Sequence, residues 1–240
     1  MRLIQITDCH LHADPDASSR TGNPLRQLQR VVERAREFNP DIVLVTGDIS
    51  QDQTRDSYGR AAEAFSSFGC PWFWCSGNHD QPGVMREVHQ ILDEIDLDAW
   101  RLLILDSRVD GQAHGELGES QRKMLARRLQ EDARPTLLAL HHPPVAIGSE
   151  WMDAIGLMDR EAFWQSLAPY SQVRGILCGH IHQAFEQSFG EVVVYGCPAT
   201  SDQFLGGSTD FAVDEASPPG FRIVDVQDSQ LTTWIERVEF

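Results

Sequence analysis

Positive charge is in short supply in this chain of 240 residues. Twenty Lys and Arg stand against 36 Asp and Glu, a formal net charge of −16. A field of that sign repels polyanions at long range and excludes a generic surface for nucleic-acid polymers. It still admits a small phosphate substrate wherever bound cations reverse the local sign. Long apolar runs are also missing. None approaches the ~18–20 residues of a membrane span, so no membrane partner is expected. The N-terminus, MRLIQITDCH, lacks a cleavage-site pattern and reads as a first strand rather than a signal peptide. The five cysteines (Cys9, Cys70, Cys75, Cys178 and Cys197) are odd in number and form no CxxC. That speaks against a disulfide framework and for a reducing, cytoplasmic setting. Cys9, Cys75 and Cys178 lie in or beside apolar runs and read as small buried hydrophobes. Repeats, low-complexity tracts and linkers are absent too. One core can serve a chain of this length, so residues 1–240 read as one domain.

What is present is alternation. RLIQI (2–6), DIVLVT (41–46), PWFWC (71–75), RLLILD (101–106), TLLAL (136–140) and VRGILC (173–178) read as short buried strands. Helical patterns lie between them, over about 23–38, 54–68, 119–130 and 159–167. In the first, Leu25, Leu28, Val31, Val32, Ala35 and Phe38 share a stripe, with Asn23 as N-cap and Pro24 in the opening turn. After residue 182 the character changes. QAFEQSF, EVVVYG, GFRIVDV and LTTWIERV read as strands joined by Gly, Pro and Asp/Ser turns. The class is α/β.

The chemistry follows the strands. Asp8 and His10 come after the first, Gly47-Asp48 after the second, and Gly77-Asn78-His79-Asp80 after the third. His141-His142 follow TLLAL, and Gly179-His180-Ile181-His182 follow VRGILC. Ligands of open α/β sheets bind beyond the carboxyl ends of the strands, so these groups are expected to converge on one edge. A lone buried histidine is usually a satisfied core residue. Five ligand groups in order, each after its own strand, are not explained that way. Carboxylate, amide and imidazole donors without a thiolate cluster suit Mn, Fe, Zn or Co better than Ca or an iron–sulfur cluster. Seven such groups exceed one ion's needs and suit two ions sharing a bridging carboxylate. Residues i and i+2 of an extended stretch point the same way, so His180 and His182 are expected to serve different ions of the pair. Glycines 47, 77 and 179 would let the backbone bend sharply. His12, His89 and His114 read as surface or supporting groups, with His12 nearest the pattern.

The blocks D-x-H, G-D, G-N-H-D, H and G-H-x-H over residues 8–182 resemble the calcineurin-like metallophosphoesterase superfamily. LLILDS, HGELGESQ, LHHPPVAIGSEWMD, CGHIHQ, CPATSDQF and PPGFR further resemble the bacterial 3′,5′-cyclic AMP phosphodiesterase group, the class III cyclic nucleotide phosphodiesterases. The resemblance implies a four-layer α-β-β-α sandwich, with two mixed β-sheets flanked by helices. It implies two divalent or trivalent ions, iron or manganese first and zinc or cobalt next. Asp8, His10 and His182 would hold one ion; Asn78, His141 and His180 the other; Asp48 would bridge. His79 would contact the phosphate and assist the leaving group, with Asn78 and His182 also facing substrate. His142 and Asp80 would sit behind the ligands. Cys9 departs from the threonine or serine often found at its position; it reads as packing, with a thiol near the metals as a source of oxidation sensitivity.

The expected reaction is hydrolysis of 3′,5′-cyclic AMP to the 5′-nucleotide by hydroxide generated at the ions. Alternatives are a glycerophosphodiester, a 2′,3′-cyclic nucleotide or a phosphomonoester on the same centre, and a scaffold without catalysis. Retention of every ligand position and of His79 argues against the scaffold. Trp151 is a candidate to stack on adenine or to serve as a lid aromatic, and residues 197–208 form a candidate substrate loop. A homodimer is left open.

Overall fold

A computed structural model describes residues 1–228 and 230–239. Among them, eleven strands form two mixed sheets. The first has the order β11-β10-β1-β2-β3: Gln230–Arg237, Gly220–Gln227, Arg2–Ile6, Ile42–Thr46 and Trp72–Cys75. The second has the order β4-β5-β6-β7-β9-β8: Glu94–Leu97, Trp100–Ile104, Thr136–Leu140, Val173–Cys178, Val192–Gly196 and Phe185–Phe189. β1, β2 and β3 run parallel, as do β5, β6, β7 and β9, while β10, β11, β4 and β8 pair antiparallel.

The side-chain alternation explains the continuous apolar runs. On β1 and β2, Ile4, Ile6, Val43 and Val45 face α1 (Pro24–Arg36) and α2 (Arg55–Ser66), packing against Leu28, Val31, Tyr58 and Phe65. Their neighbours Leu3, Ile42 and Leu44 face the other way, onto Leu102, Leu137, Ala139 and Leu177 of the second sheet. Beyond that sheet, Leu103, Leu138 and Ile176 meet Leu125 and Leu129 of α4 (Gly118–Glu131) and Phe163 and Leu167 of α6 (Arg160–Leu167). Both faces of each central strand are buried, so neither needs a polar side. The result is the expected α-β-β-α sandwich.

Local signals hold where they are strong. The Asn23 side chain accepts from the Arg26 N–H at 2.8 Å, and Thr54 caps α2 through the Ser57 N–H at 3.2 Å. Three elements had no clear sequence signal. α3 (Pro82–Val88) and α5 (Glu150–Asp153) are too short to show a period, and β4 is a four-residue edge strand burying only Ile95 and Leu97. The single edge expected for the ligand groups is also corrected. Three of the five strands lie in one sheet and two in the other, so the groups meet across the seam between two sheets.

Candidate metal centre

The seam is tied by polar contacts from both sides. Gln5 on β1 donates to the Cys178 carbonyl of β7 at 3.0 Å, and the His141 Nδ1–H after β6 donates to the Thr46 carbonyl at 2.8 Å. The backbone N–H of His180 donates to the Asp8 carboxylate, the nearer oxygen at 3.0 Å. The ladder between β1 and β2 continues past the strand ends through Asp8 N–H to Gly47 O and His10 N–H to Asp48 O, each 3.0 Å. These contacts bring Asp8, His10, Asp48, Asn78, His79, His141, His180 and His182 together.

The backbone reaches this arrangement differently from expectation. His180 and His182 are not extended: their φ angles are 69° and 51°. Asp8, His10 and Asp48 are also left-handed, at 53°, 48° and 50°. Each such residue stores roughly 1–3 kcal/mol, a strain found mostly at functional sites. The glycines have a different role from the one expected. Gly47 does sit at φ 92°, but Gly77 and Gly179 are needed for space. A Cβ on Gly77 would lie 2.1 Å from Asp48 Oδ1, and one on Gly179 would lie 2.1 Å from Thr7 Oγ1.

The donor atoms fall into two groups. Asp8 Oδ1 is 3.2 Å from His182 Nε2, which is 3.3 Å from His10 Nε2. Asp48 Oδ2 is 3.3 Å from His141 Nε2, which is 3.1 Å from Asn78 Oδ1. Asp48 Oδ2 also lies 3.9 Å from His10 Nε2, between the groups. The other ring nitrogens are committed elsewhere. His10 Nδ1 donates to Gln51 Oε1 at 2.8 Å, His182 Nδ1 to the Asp202 carbonyl at 2.6 Å and His180 Nε2 to the Ile155 carbonyl at 3.1 Å. With those tautomers, His10 and His182 turn lone pairs toward each other and toward a carboxylate. Such a cluster of facing acceptors needs a proton or a metal cation between them.

The electrostatics agree. Burial pulls His10 down to about 4 and His142 down to about 3, and drives His180 well below the ordinary histidine value. These rings are therefore neutral, the metal-binding form. Burial alone would raise Asp8 and Asp48, but His182 and His141 outweigh it and hold both carboxyls below their ordinary value. His141 is the exception among the imidazoles. Burial lowers it, yet the Asp48 carboxylate prevails and lifts it to about 9, so a proton can stand where a cation would sit.

Two residues sit behind this group. The His142 Nε2–H donates to the Ala113 carbonyl at 3.2 Å, and the Ser107 hydroxyl donates to His142 Nδ1 at 2.8 Å, which uses both ring nitrogens. Asp80 accepts the backbone N–H groups of Ile49, Ser50 and Gly77 at 2.9–3.2 Å, joining two of the loops. Burial and Asp48 push its carboxyl up to about 7. Cys9 is wholly buried, and burial drives its thiol far above the usual range, the surroundings of a packing cysteine.

His79 adjoins the donor groups, with a ring nitrogen within 4.8 Å of donor atoms of His10 and Asp48. Its backbone N–H donates to Asp48 Oδ1 at 2.8 Å, while its ring meets that of His10 edge-on at 4.9 Å and lines a cavity of ≈ 600 Å³. Segment 197–208 reaches the same cavity through Ser201, Asp202 and Phe204, the last stacked on His182 at 3.9 Å. Gln51 and the carbonyls of Thr46, Ile155 and Asp202 were missed in sequence. A carbonyl has no residue-type signature, and only the loop around Asp202 had drawn notice.

A family model for calcineurin-like phosphoesterases matches residues 1–184. The chain belongs to that family. This metallophosphoesterase is a hydrolase, and its Asp/His cluster is consistent with a dinuclear metal site. It is 39% identical to the 3′,5′-cyclic adenosine monophosphate phosphodiesterase CpdA of Pseudomonas aeruginosa, over 99% of this chain and 90% of that one. The CpdA of Vibrio vulnificus is also 39% identical, with the same coverage. A dimetal phosphatase from Danio rerio superposes with a TM-score of 0.69 over 100% of this phosphoesterase and 99% of that chain; at 14% identity the likeness is one of fold. No helix among the described residues is long and apolar enough to cross a membrane.

Proposed function

We propose that this phosphoesterase hydrolyses 3′,5′-cyclic AMP to 5′-AMP. The relatives named for that reaction span nearly the whole chain. The observation that carries the proposal is the set of facing acceptors, His10 Nε2, His182 Nε2 and Asp8 Oδ1, beside Asp48 and the open cavity. Asp8, His10 and His182 would hold one ion, Asn78, His141 and His180 the other, and Asp48 would serve both. Iron and manganese suit the mixed oxygen and imidazole donors, with zinc or cobalt as substitutes. Bound there, two cations would supply charge neutralisation for the phosphate oxygens and hydroxide at neutral pH.

The protein's own part is positioning and proton transfer. The carbonyl and amide partners of the histidines fix their tautomers, so the site needs little reorganisation. His79, free at its ring and open to the cavity, donates a proton to the departing ribose 3′-oxygen. Asn78 and His182 border the phosphate. The free cysteines support a reducing, cytoplasmic setting.

Metal analysis coupled to hydrolysis tests the reading. Expected are about two ions per chain and turnover of cyclic AMP as well as bis(p-nitrophenyl) phosphate. Turnover of the artificial diester alone moves the assignment to another phosphodiester. A chain that takes up no metal overturns it.

A further inference from the structure

The cavity that His10, His79 and His182 line also has an aromatic part, Phe204 and Phe211. Phe204 spends one face on His182, and Phe211 meets Phe204 edge-on at 5.3 Å. Trp151 packs edge-on against both, at 5.2 and 5.1 Å, and donates its indole N–H to Ser208. It therefore buttresses the wall from behind and is not among the residues lining the cavity. Phe211 does line it and is 46% exposed. An aromatic ring held by two others and facing a polar cavity is a stacking surface.

Arg20 lies over that surface, its guanidinium carbon 4.9 Å from the Phe211 ring centre. The segment carrying it is fastened to Asp202. That carboxylate accepts from Ser19 Oγ at 2.8 Å, Thr21 Oγ1 at 2.6 Å and the N–H groups of Arg20 and Thr21 at 3.3 and 2.8 Å. The Arg20 head is looser: its nearest approach to Asp202 is 3.6 Å and its side chain is 64% exposed. A flat cation thus lies over a flat ring, anchored at its base and largely exposed at its tip, in the cavity that His79 also lines.

We infer that Phe211 and Arg20 form the seat for the purine base of the nucleotide, which stacks on Phe211 as the exposed Arg20 guanidinium, now over that ring, lifts to cover the base's other face. The assignment rests on the nucleotide reading above and adds what distinguishes a nucleotide from any other phosphodiester. Both groups suit the task. Phenylalanine stacks without regard to base edge, and guanidinium can stack on a base and donate to its ring nitrogens. Arg20 also places positive charge beside the path of an anionic substrate in a chain of net charge −16.

The test compares the affinities of the metal-loaded full chain for 5′-AMP and for ribose 5-phosphate, measured by calorimetry. The ratio isolates the base, and ribose 5-phosphate reports whether the phosphate end is intact. The native protein is expected to favour 5′-AMP. In Phe211→Ala and Arg20→Ala the preference falls at least about fivefold, and Phe211→Trp retains it. Equal affinities in the native chain, or a preference in Phe211→Ala within about twofold of native, a gap too small for a lost stacking contact, overturn the seat. Should Phe211→Ala fail to fold, the exposed Arg20 substitution decides by the same criterion. A native chain that prefers 5′-AMP but leaves cyclic AMP intact upholds the seat and overturns the proposed reaction.

Discussion

At the scale of the residue, this site is built by denying side chains their ordinary partners. His79 is one case: its backbone N–H is pinned to Asp48 while its ring lines the cavity, where the proposed reaction uses it as proton donor. His79→Ala is expected to lower cyclic AMP turnover by roughly 10²–10⁴-fold, the usual worth of general acid assistance. Metal content should stay as in the native chain; loss of an ion would make His79 a ligand instead. Asp52 shows the opposite habit, a carboxylate saturated with donors. Burial would raise it, but the Ala13 N–H at 2.7 Å and the Thr54 hydroxyl at 2.8 Å prevail and hold it at about 2. Its folded value lies below the ordinary 3.8. Its contribution is therefore complete above that value and is lost as pH falls through about 2. In urea unfolding, the gap between the native chain and Asp52→Asn should narrow as pH drops across this window, and a constant gap contradicts the assignment.

At the scale of the element, strand ends deliver the ligands and glycines make room for them. Gly77 joins β3 to the Asn78-His79 turn, and its Cα faces Asp48 so closely that a methyl group would meet the carboxylate oxygen at 2.1 Å and its backbone N at 2.5 Å. Gly77→Ala must therefore displace the carboxylate that lies between both donor groups. The expected result is a folded protein with far less bound metal and turnover down by at least about 10²-fold, the scale of a misplaced catalytic group. Native metal content in this variant is incompatible with Asp48 as the bridge. The strand and helix types were legible in sequence because β1, β2, β6 and β7 are buried on both faces and α1 carries a clean stripe and cap. α3, α5 and β4 were not, because pieces this short bury too few side chains to leave a period.

At the scale of the whole molecule, the centre is also a fastening. Asp8, His10, Asp48 and Asn78 come from the first sheet's loops, and His141, His180 and His182 from the second's. Ions held by both sets would bind the folded state and have nothing comparable to bind in the unfolded chain. At 100 times the dissociation constant such binding adds about 2.7 kcal/mol per site. For a chain of this size that is roughly 5–10 °C in unfolding temperature. Chelation should lower the midpoint by that order and readdition should restore it. A midpoint indifferent to metal would mean that the ligands do not converge in solution.

The inventory of donors, their order and their places after strands were determined by the amino-acid sequence alone, because residue type and short-range period are local properties. Tertiary structure decided how they are used. The order of strands within two sheets placed the five groups on opposite sides of a seam. Backbone carbonyls, identical for every residue type, chose the tautomers of His141, His180 and His182. The left-handed turns at His180 and His182 replaced the extended geometry their spacing suggested. The cavity lining joins Arg20 to Phe204 and Phe211, segments far apart along the chain. Such a juxtaposition depends on packing free energy summed over the whole core, which no local pattern carries.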